Sequence, residues 1–170
     1  MRDGQTREGS LKVRVVRGMN LAIRDFRSSD PYVVLRWRNK VLPHFSLSLQ
    51  SDKNNVNPEW NEELTLYIQD PNISIKLEVL DKDTFTPDDP MGNAVINIQP
   101  LVEAGRVDLG TLDNDIIRIV SPNSTNCLVG ESKIYIYNGK VVQDMILRLK
   151  DVECGEVELR LEWVNARRNW

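Results

Sequence analysis

Apolar residues alternate with charged residues in several segments of the chain, which is the pattern of a strand with one buried face. Near the start, Leu11, Val13 and Val15 alternate with lysine and arginine. Near the end, residues 157–163 carry valine, leucine or tryptophan at every second position, with glutamate and arginine between them. Because short strands of this kind recur at regular spacing, the sequence predicts an all-β protein, an antiparallel β-sandwich.

Two local signals refine this prediction. Residues 135–142 are expected to form a hairpin, because Asn138 followed by Gly139 suits the positive φ angles of a tight turn. Helical periodicity is scarce, but residues 100–105 begin with proline and end with glycine, as short helices do. The sequence therefore predicts at most one or two short helices.

Length and charge bound the function. A chain of 170 residues is long enough for one domain with its own core. The formal net charge of −3 does not favour general binding to nucleic acid. The first residues resemble neither a signal peptide nor a myristoylation site, and no apolar run reaches the ~18 residues that a membrane-spanning helix needs. Any membrane contact is therefore expected to be peripheral.

Residues that could carry covalent chemistry are few. Cys127 and Cys154 lack the spacing of a zinc site, and of the two remaining alternatives, free thiols are favoured over a disulfide. His44 is the only histidine, and neither a serine nor a cysteine motif accompanies it. A glycine-rich phosphate loop ending in Gly-Lys-Ser/Thr is absent as well. The chain is therefore not predicted to be an enzyme in its own right.

The most informative polar residues are five aspartates in two clusters, each following a strand-like segment: Asp25, Asp30, Asp81, Asp83 and Asp89. Residues two apart on an extended backbone point to the same side, so Asp81 and Asp83 can reach one ion. Carboxylates about 4 Å apart repel by roughly 1 kcal/mol even in water. A hard divalent cation removes that repulsion, and this set of oxygen ligands suits calcium.

A simpler interpretation stays open for each cluster taken alone. Aspartate is a favoured turn residue, because its side chain bonds the nearby backbone. Two aspartate clusters make a metal site only if the fold brings their loops together.

Several segments in order resemble a C2 domain, the calcium- and lipid-binding module first named in protein kinase C. They are residues 29–35 (SDPYVVL), 57–64 (NPEWNEEL) and 77–83 (LEVLDKD). Residues 89–94 (DPMGNA) are similar to the exit of that module's third calcium loop. The resemblance covers roughly residues 10–104.

The later part of the chain narrows the resemblance. Residues 138–145 (NGKVVQDM), 147–149 and 153–159 (ECGEVEL) are similar to the plant abscisic-acid-related C2-domain proteins. This family consists of small single-module chains with a characteristic insertion. The resemblance implies one eight-stranded C2 domain over residues 1–170, with an insertion at about 107–150 and a core at about 10–104 and 151–164.

The resemblance also implies a ligand set. Loops after alternate strands gather at one end of a C2 sandwich. The carboxylates of the five aspartates would then bind calcium, and the backbone carbonyls of Arg24 and Lys82 would complete the shell. Arg24 and Arg27 flank this set and would add attraction to an anionic membrane surface.

The function implied by the resemblance is a calcium-dependent phospholipid-binding adaptor. Such proteins transiently recruit abscisic-acid receptors to the plasma membrane, and a peripheral membrane, cytoplasmic and nuclear location follows. Members are also described as activators of Obg-like GTPases and ATPases, which is the alternative function. The insertion is associated with binding of protein partners.

Two further features bear on membrane contact. Phe26 and Phe85 lie within the acidic loops, and either pack back onto the loop or enter the lipid interface. Residues 41–53 are largely apolar where the family usually has a basic strand, either as functional variation or as an artefact of the gene model or of splicing. We therefore expect lipid binding to depend mainly on calcium, and strong binding without calcium would indicate another basic surface.

Overall fold

The computed structural model describes residues 9–24, 30–38, 40–41, 56–83, 85–106 and 115–166. These residues form two antiparallel sheets and one short helix. The elements are β1 (Gly9–Met19), β2 (Pro31–Trp37), β3 (Lys40–Val41), β4 (Glu59–Ile68), β5 (Ile75–Asp81), β6 (Asp89–Ile96), α1 (Gln99–Gly105), β7 (Ile116–Val120), β8 (Ser132–Tyr137), β9 (Lys140–Arg148) and β10 (Glu156–Asn165). One sheet has the strand order β4-β1-β10-β9-β8-β7, and the other has the order β3-β2-β5-β6.

The core lies between the two sheets and consists of the apolar residues that the predicted alternation places on one face of each strand. Leu11, Val13 and Val15 of β1 are fully buried, as are the apolar positions of residues 157–163 in β10. The opposite sheet contributes the inward-facing residues of β5, Ile75, Leu77 and Val79. Burying a side chain of this size stabilises the fold by about 1.5–3 kcal/mol. The alternation of apolar and charged residues therefore reflects a two-sheet core.

Both local predictions are confirmed. The helix α1 contains Pro100 in its first turn and buries Leu101 and Val102 against the core. The hairpin joins β8 to β9 through Asn138 and Gly139, whose φ angles are 51° and 72°. The two cysteines are free thiols, as favoured by the sequence.

The predicted fold class, an all-β antiparallel sandwich, is confirmed. β7, β8 and β9 lie within the predicted insertion at 107–150, and β7 and β8 extend the six-stranded sheet beyond β9. Without β7 and β8, the sandwich would consist of two four-stranded sheets. In the described ranges, no helix is long and apolar enough to cross a bilayer.

The strand register of the four-stranded sheet determines which residues lie together at one end of the sandwich. β5 lies between β2 and β6, and Asp81 at its end pairs with Pro31 on one side and Asp89 on the other. Asp30 immediately precedes Pro31, and Asp83 follows Asp81 by two residues. We call this end, with Asp30, Asp81, Asp83 and Asp89, the acidic end.

Gly92 lies close to this end, in a bulge of β6. The register shows one extra residue of β6 between the partners of Glu78 and Leu80. Gly92 has a φ angle of 112°, which L side chains rarely adopt. An added Cβ atom would lie 2.7 Å from Val152 Cγ1 and 2.8 Å from Leu149 Cβ. The close packing of β6 against the β9–β10 turn therefore requires glycine.

We predict that Gly92→Ala lowers the free energy of unfolding by about 2–4 kcal/mol, because it adds backbone strain and a steric clash. Urea unfolding followed by circular dichroism measures the change. Gly130→Ala is the matched control, because nothing lies within 4 Å of the position that a Cβ atom would take there. Equal stability of the two variants would contradict the prediction.

Candidate functional site

Asp30 of the first aspartate cluster lies against Asp81 of the second at the acidic end. Asp81 is 4% exposed. Its Oδ1 accepts a hydrogen bond of 2.7 Å from the backbone N–H of Asp30. In return, the backbone N–H of Lys82 donates to the carbonyl oxygen of Asp30 at 3.1 Å. The residues that end β5 are therefore joined directly to the residue that precedes β2. Asp25 lies outside the described residues.

The loop between β5 and β6 is organised by a carboxylate outside the predicted ligand set. Asp88 Oδ1 accepts a 2.9 Å hydrogen bond from the backbone N–H of Asp83, and its Oδ2 accepts one from the Tyr32 hydroxyl. These two bonds hold the pKa of Asp88 below its usual value. Asp83 in turn accepts hydrogen bonds from the backbone N–H of Phe85 and the hydroxyl of Thr86. Asp88 therefore fixes the backbone that carries Asp83.

Tyr32 is the second anchor of this loop. Burial, followed by the hydrogen bond to Asp88, raises the pKa of Tyr32 to about 12. The hydroxyl therefore stays protonated at neutral pH and remains a donor. Sequence reasoning missed the role of Asp88; the available signal was the tendency of turn aspartates to bond backbone N–H groups.

The side chain of Arg24 connects three segments at the acidic end. Its guanidinium contacts both carboxylate oxygens of Glu153, at 2.7 and 2.9 Å, and its Nε donates to the carbonyl oxygen of Pro90 at 3.2 Å. The ion pair lowers the pKa of Glu153 to about 2. The charge of Arg24 is thus shared with a carboxylate within the protein, which weakens its predicted attraction to a membrane. Arg27 lies outside the described residues.

Exposed apolar side chains accompany the acids. Phe85 is 94% exposed, so it does not pack back onto its own loop. Ile23, next to Arg24, is also largely exposed. Phe26 lies outside the described residues. For Phe85, the geometry favours the second of the two sequence interpretations, in which the ring is available to an apolar surface.

The donor chemistry of the acidic end is that of a hard cation. Its side chains offer carboxylate oxygens, and the buried carboxylate of Asp81 is oriented by a backbone N–H. Within the described ranges, however, no group of three or more His, Cys, Asp or Glu side chains is arranged to hold a metal ion. The predicted set includes Asp25, which those ranges omit. The chemical type of these ligands therefore suits calcium, whereas the complete coordination shell stays a prediction.

Comparison with solved structures supports the fold. The chain superposes on a C2 domain of plant Extended Synaptotagmin 1 with a TM-score of 0.62, over 95% of this chain and 98% of that one. The two are 20% identical in sequence, so this likeness concerns the fold alone.

Comparison of sequences gives the family. The C2 domain profile matches residues 9–112. A rice protein (Oryza sativa subsp. indica) named GTPase activating protein 1 is 55% identical over 158 residues, 92% of each chain. The Arabidopsis thaliana protein named C2-DOMAIN ABA-RELATED 8 is 49% identical over 159 residues, 93% of each chain. The chain belongs to the C2 domain family and, within it, to the C2-domain ABA-related proteins.

Proposed function

We propose that this chain is a calcium-dependent phospholipid-binding adaptor. The observation that supports the proposal is the contact between Asp30 and the second aspartate cluster, in which buried Asp81 accepts a hydrogen bond from the backbone of Asp30. Calcium would remove the mutual repulsion of these acids, and a lipid phosphate would complete a coordination shell that the protein leaves open. Lipid and calcium then strengthen each other's binding by linkage.

The proposed ligands are the predicted ones: the carboxylates of Asp25, Asp30, Asp81, Asp83 and Asp89 and the backbone carbonyls of Arg24 and Lys82. Phe85, on the loop between β5 and β6, is 94% exposed, and aromatic rings partition well into the membrane interface. Docking through this end would therefore combine a metal bridge with a shallow apolar contact.

The proposed cargo is an abscisic-acid receptor, recruited transiently to the plasma membrane. The names of the Arabidopsis relatives support an abscisic-acid pathway. β7, one of the two outer strands of the six-stranded sheet, lies within the insertion and would offer a surface to a protein partner. We propose that the protein is peripheral at the plasma membrane and otherwise cytoplasmic and nuclear.

A second candidate function is activation of an Obg-like GTPase or ATPase. The name of the rice relative, GTPase activating protein 1, is the observation that favours it. Nucleotide hydrolysis by an Obg-like partner, measured with and without this protein, separates the two functions. A rate increase approaching the roughly 10³–10⁵-fold that known activators supply would establish the second function. An unchanged rate would remove it.

Replacing Asp30 and Asp83 together by Asn should abolish calcium-dependent binding to phospholipid. Each substitution replaces a charged calcium ligand by a neutral side chain of similar shape. We expect calcium affinity to fall by about tenfold or more, since ligand charge sets the affinity of such sites. Co-sedimentation with phosphatidylserine vesicles, with and without chelator, measures the effect. Thermal unfolding in chelator should be unchanged.

The matched control is the double variant Asp70→Asn and Asp115→Asn, which removes the same charge away from the acidic end. Asp70 follows β4, whose last residue pairs with the first residue of β1, at the opposite end of the sandwich. Its side chain accepts from the backbone N–H of Asn72, which asparagine also permits. Calcium-dependent binding that survives in the Asp30 and Asp83 variant would reject the proposed site.

We predict that Asp88→Ala weakens calcium binding by about three- to tenfold without removing a ligand. The substitution removes the two hydrogen bonds through which Asp88 orients the loop between β5 and β6. Calorimetric titration with calcium measures the change. Asp144→Ala is the control, because Asp144 accepts an equivalent 2.7 Å bond from Tyr135 on the larger sheet. Equal calcium affinity of Asp88→Ala and the wild type would contradict the prediction.

The pH dependence of Tyr32 provides an independent prediction. Its pKa, about 12, is above the ordinary value of 10.0, so the folded state holds this proton more tightly than the unfolded state. The associated stability is present below pH 10 and is lost as pH rises towards 12. Ultraviolet titration should show a lower Tyr32 pKa in Asp88→Ala, still raised by burial. An unchanged titration would show that Asp88 does not hold the hydroxyl in solution.

A further inference from the structure

A cleft beside the end of β9 carries basic side chains that the proposed calcium site does not use. Its volume is about 490 Å³, within the range of small-molecule sites. The lining includes Pro122, Asn123, Asn126, Leu128, Arg148 and Lys150. We call this cavity the Arg148 cleft.

The walls of the Arg148 cleft are fixed by backbone hydrogen bonds. The N–H of Arg148 donates to the carbonyl oxygen of Cys127 at 2.8 Å, and the N–H of Val129 donates to that of Ile146 at 3.0 Å. Lys150 exchanges two backbone hydrogen bonds with Asn93 of the other sheet, at 2.7 and 3.1 Å. Both cationic residues are therefore held on ordered backbone.

Within the part of the chain that the structure describes, the positive charges of the cleft lack carboxylate partners. Elsewhere on the six-stranded sheet, Arg17 contacts Glu158 at 2.6 Å and Arg160 contacts Asp144 at 2.8 Å. Among the residues that the structure describes, by contrast, Arg148 and Lys150 form no ion pair.

Two carboxylates lie near these cations, one on the neighbouring strand and one next to Lys150 in the chain, and neither forms an ion pair with Arg148 or Lys150. Glu156 is the cross-strand partner of Arg148. Asp151 accepts a 2.7 Å hydrogen bond from the side-chain amide of Asn93. The two cations are therefore uncompensated by ion pairs within the described residues.

The loop on the opposite wall is braced by asparagine side chains. Asn123 Oδ1 accepts from the backbone N–H groups of Thr125 and Asn126, at 2.8 and 2.9 Å. Asn126 Oδ1 accepts from the N–H of Asn123, and its Nδ2 donates to the carbonyl oxygen of Ser121. This bracing leaves the Asn123 Nδ2 group without a partner in the described residues and available as a donor. A preorganised wall lowers the cost of ordering on binding.

We propose that the Arg148 cleft binds the phosphate group of a phosphate monoester, independently of calcium. Arginine supplies a planar fork of donors that matches phosphate oxygens, and lysine supplies a compact positive charge. The apolar walls at Pro122 and Leu128 would contact the organic part of such a ligand. A free phosphorylated metabolite and the headgroup of phosphatidic acid offer this same chemistry.

The test is a titration with inorganic phosphate at constant ionic strength in the presence of a calcium chelator. Backbone N–H signals of Val129 and Arg148 are followed by nuclear magnetic resonance, with chloride as the competing-ion control. We expect saturable shifts at these signals, and about tenfold weaker binding in Arg148→Gln and in Lys150→Gln. Because calcium is absent, failure here would leave the proposed calcium function untouched.

Lys133→Gln is the matched control for Lys150→Gln, because Lys133 is exposed on β8 and also lacks an ion pair in the described part of the chain. Chemical-shift changes that do not saturate with phosphate would overturn the proposal. So would an equal loss of phosphate binding in Lys133→Gln and Lys150→Gln. A second arm measures binding to phosphatidic acid vesicles in chelator. Vesicle binding that depends on Lys150 would identify the ligand as a lipid headgroup. Binding of inorganic phosphate without binding to the vesicles would identify a soluble ligand.

Discussion

The register of β2, β5 and β6 is the constraint on which the acidic end depends. Antiparallel pairing places Pro31, Asp81 and Asp89 in one row across three strands. A shift of one residue in either pair would turn alternate side chains to the opposite face of the sheet. That shift would also expose the apolar residues of β5, so the core enforces the register that gathers the acids. The packing of the core thus decides which acidic residues lie together at this end.

Local patterns predicted the strands better than they predicted the site. The alternation in β1 and β10 follows from burial of one face, and the hairpin turn at Asn138 and Gly139 follows from φ preferences, so both are visible in the sequence. Convergence of Asp30 with Asp81 depends on pairing between residues 51 positions apart. No local signal specifies that pairing, and only the resemblance to a known fold supplied it.

The supporting contacts of the site could not be predicted, for a related reason. Arg24 and Glu153 are separated by 129 residues, and their contact depends on side-chain conformation as well as on topology. Asp88 does not match the ligand pattern, whereas its neighbour Asp89 does. Both Arg24 and Asp88 act through hydrogen bonds to loops, and such bonds produce no periodic pattern in the sequence. Functional ligands are therefore easier to infer than the groups that orient them.

The backbone exchange between Asn93 and Lys150 has a consequence for solubility. β6 is an outer strand of the four-stranded sheet, and its unpaired N–H and C=O groups would offer a template for another chain. The two hydrogen bonds at Asn93 use both backbone groups of a residue midway along this strand. They interrupt the continuous ladder that edge-to-edge aggregation requires. The contact that joins the two sheets therefore also protects β6 from pairing with a neighbouring molecule.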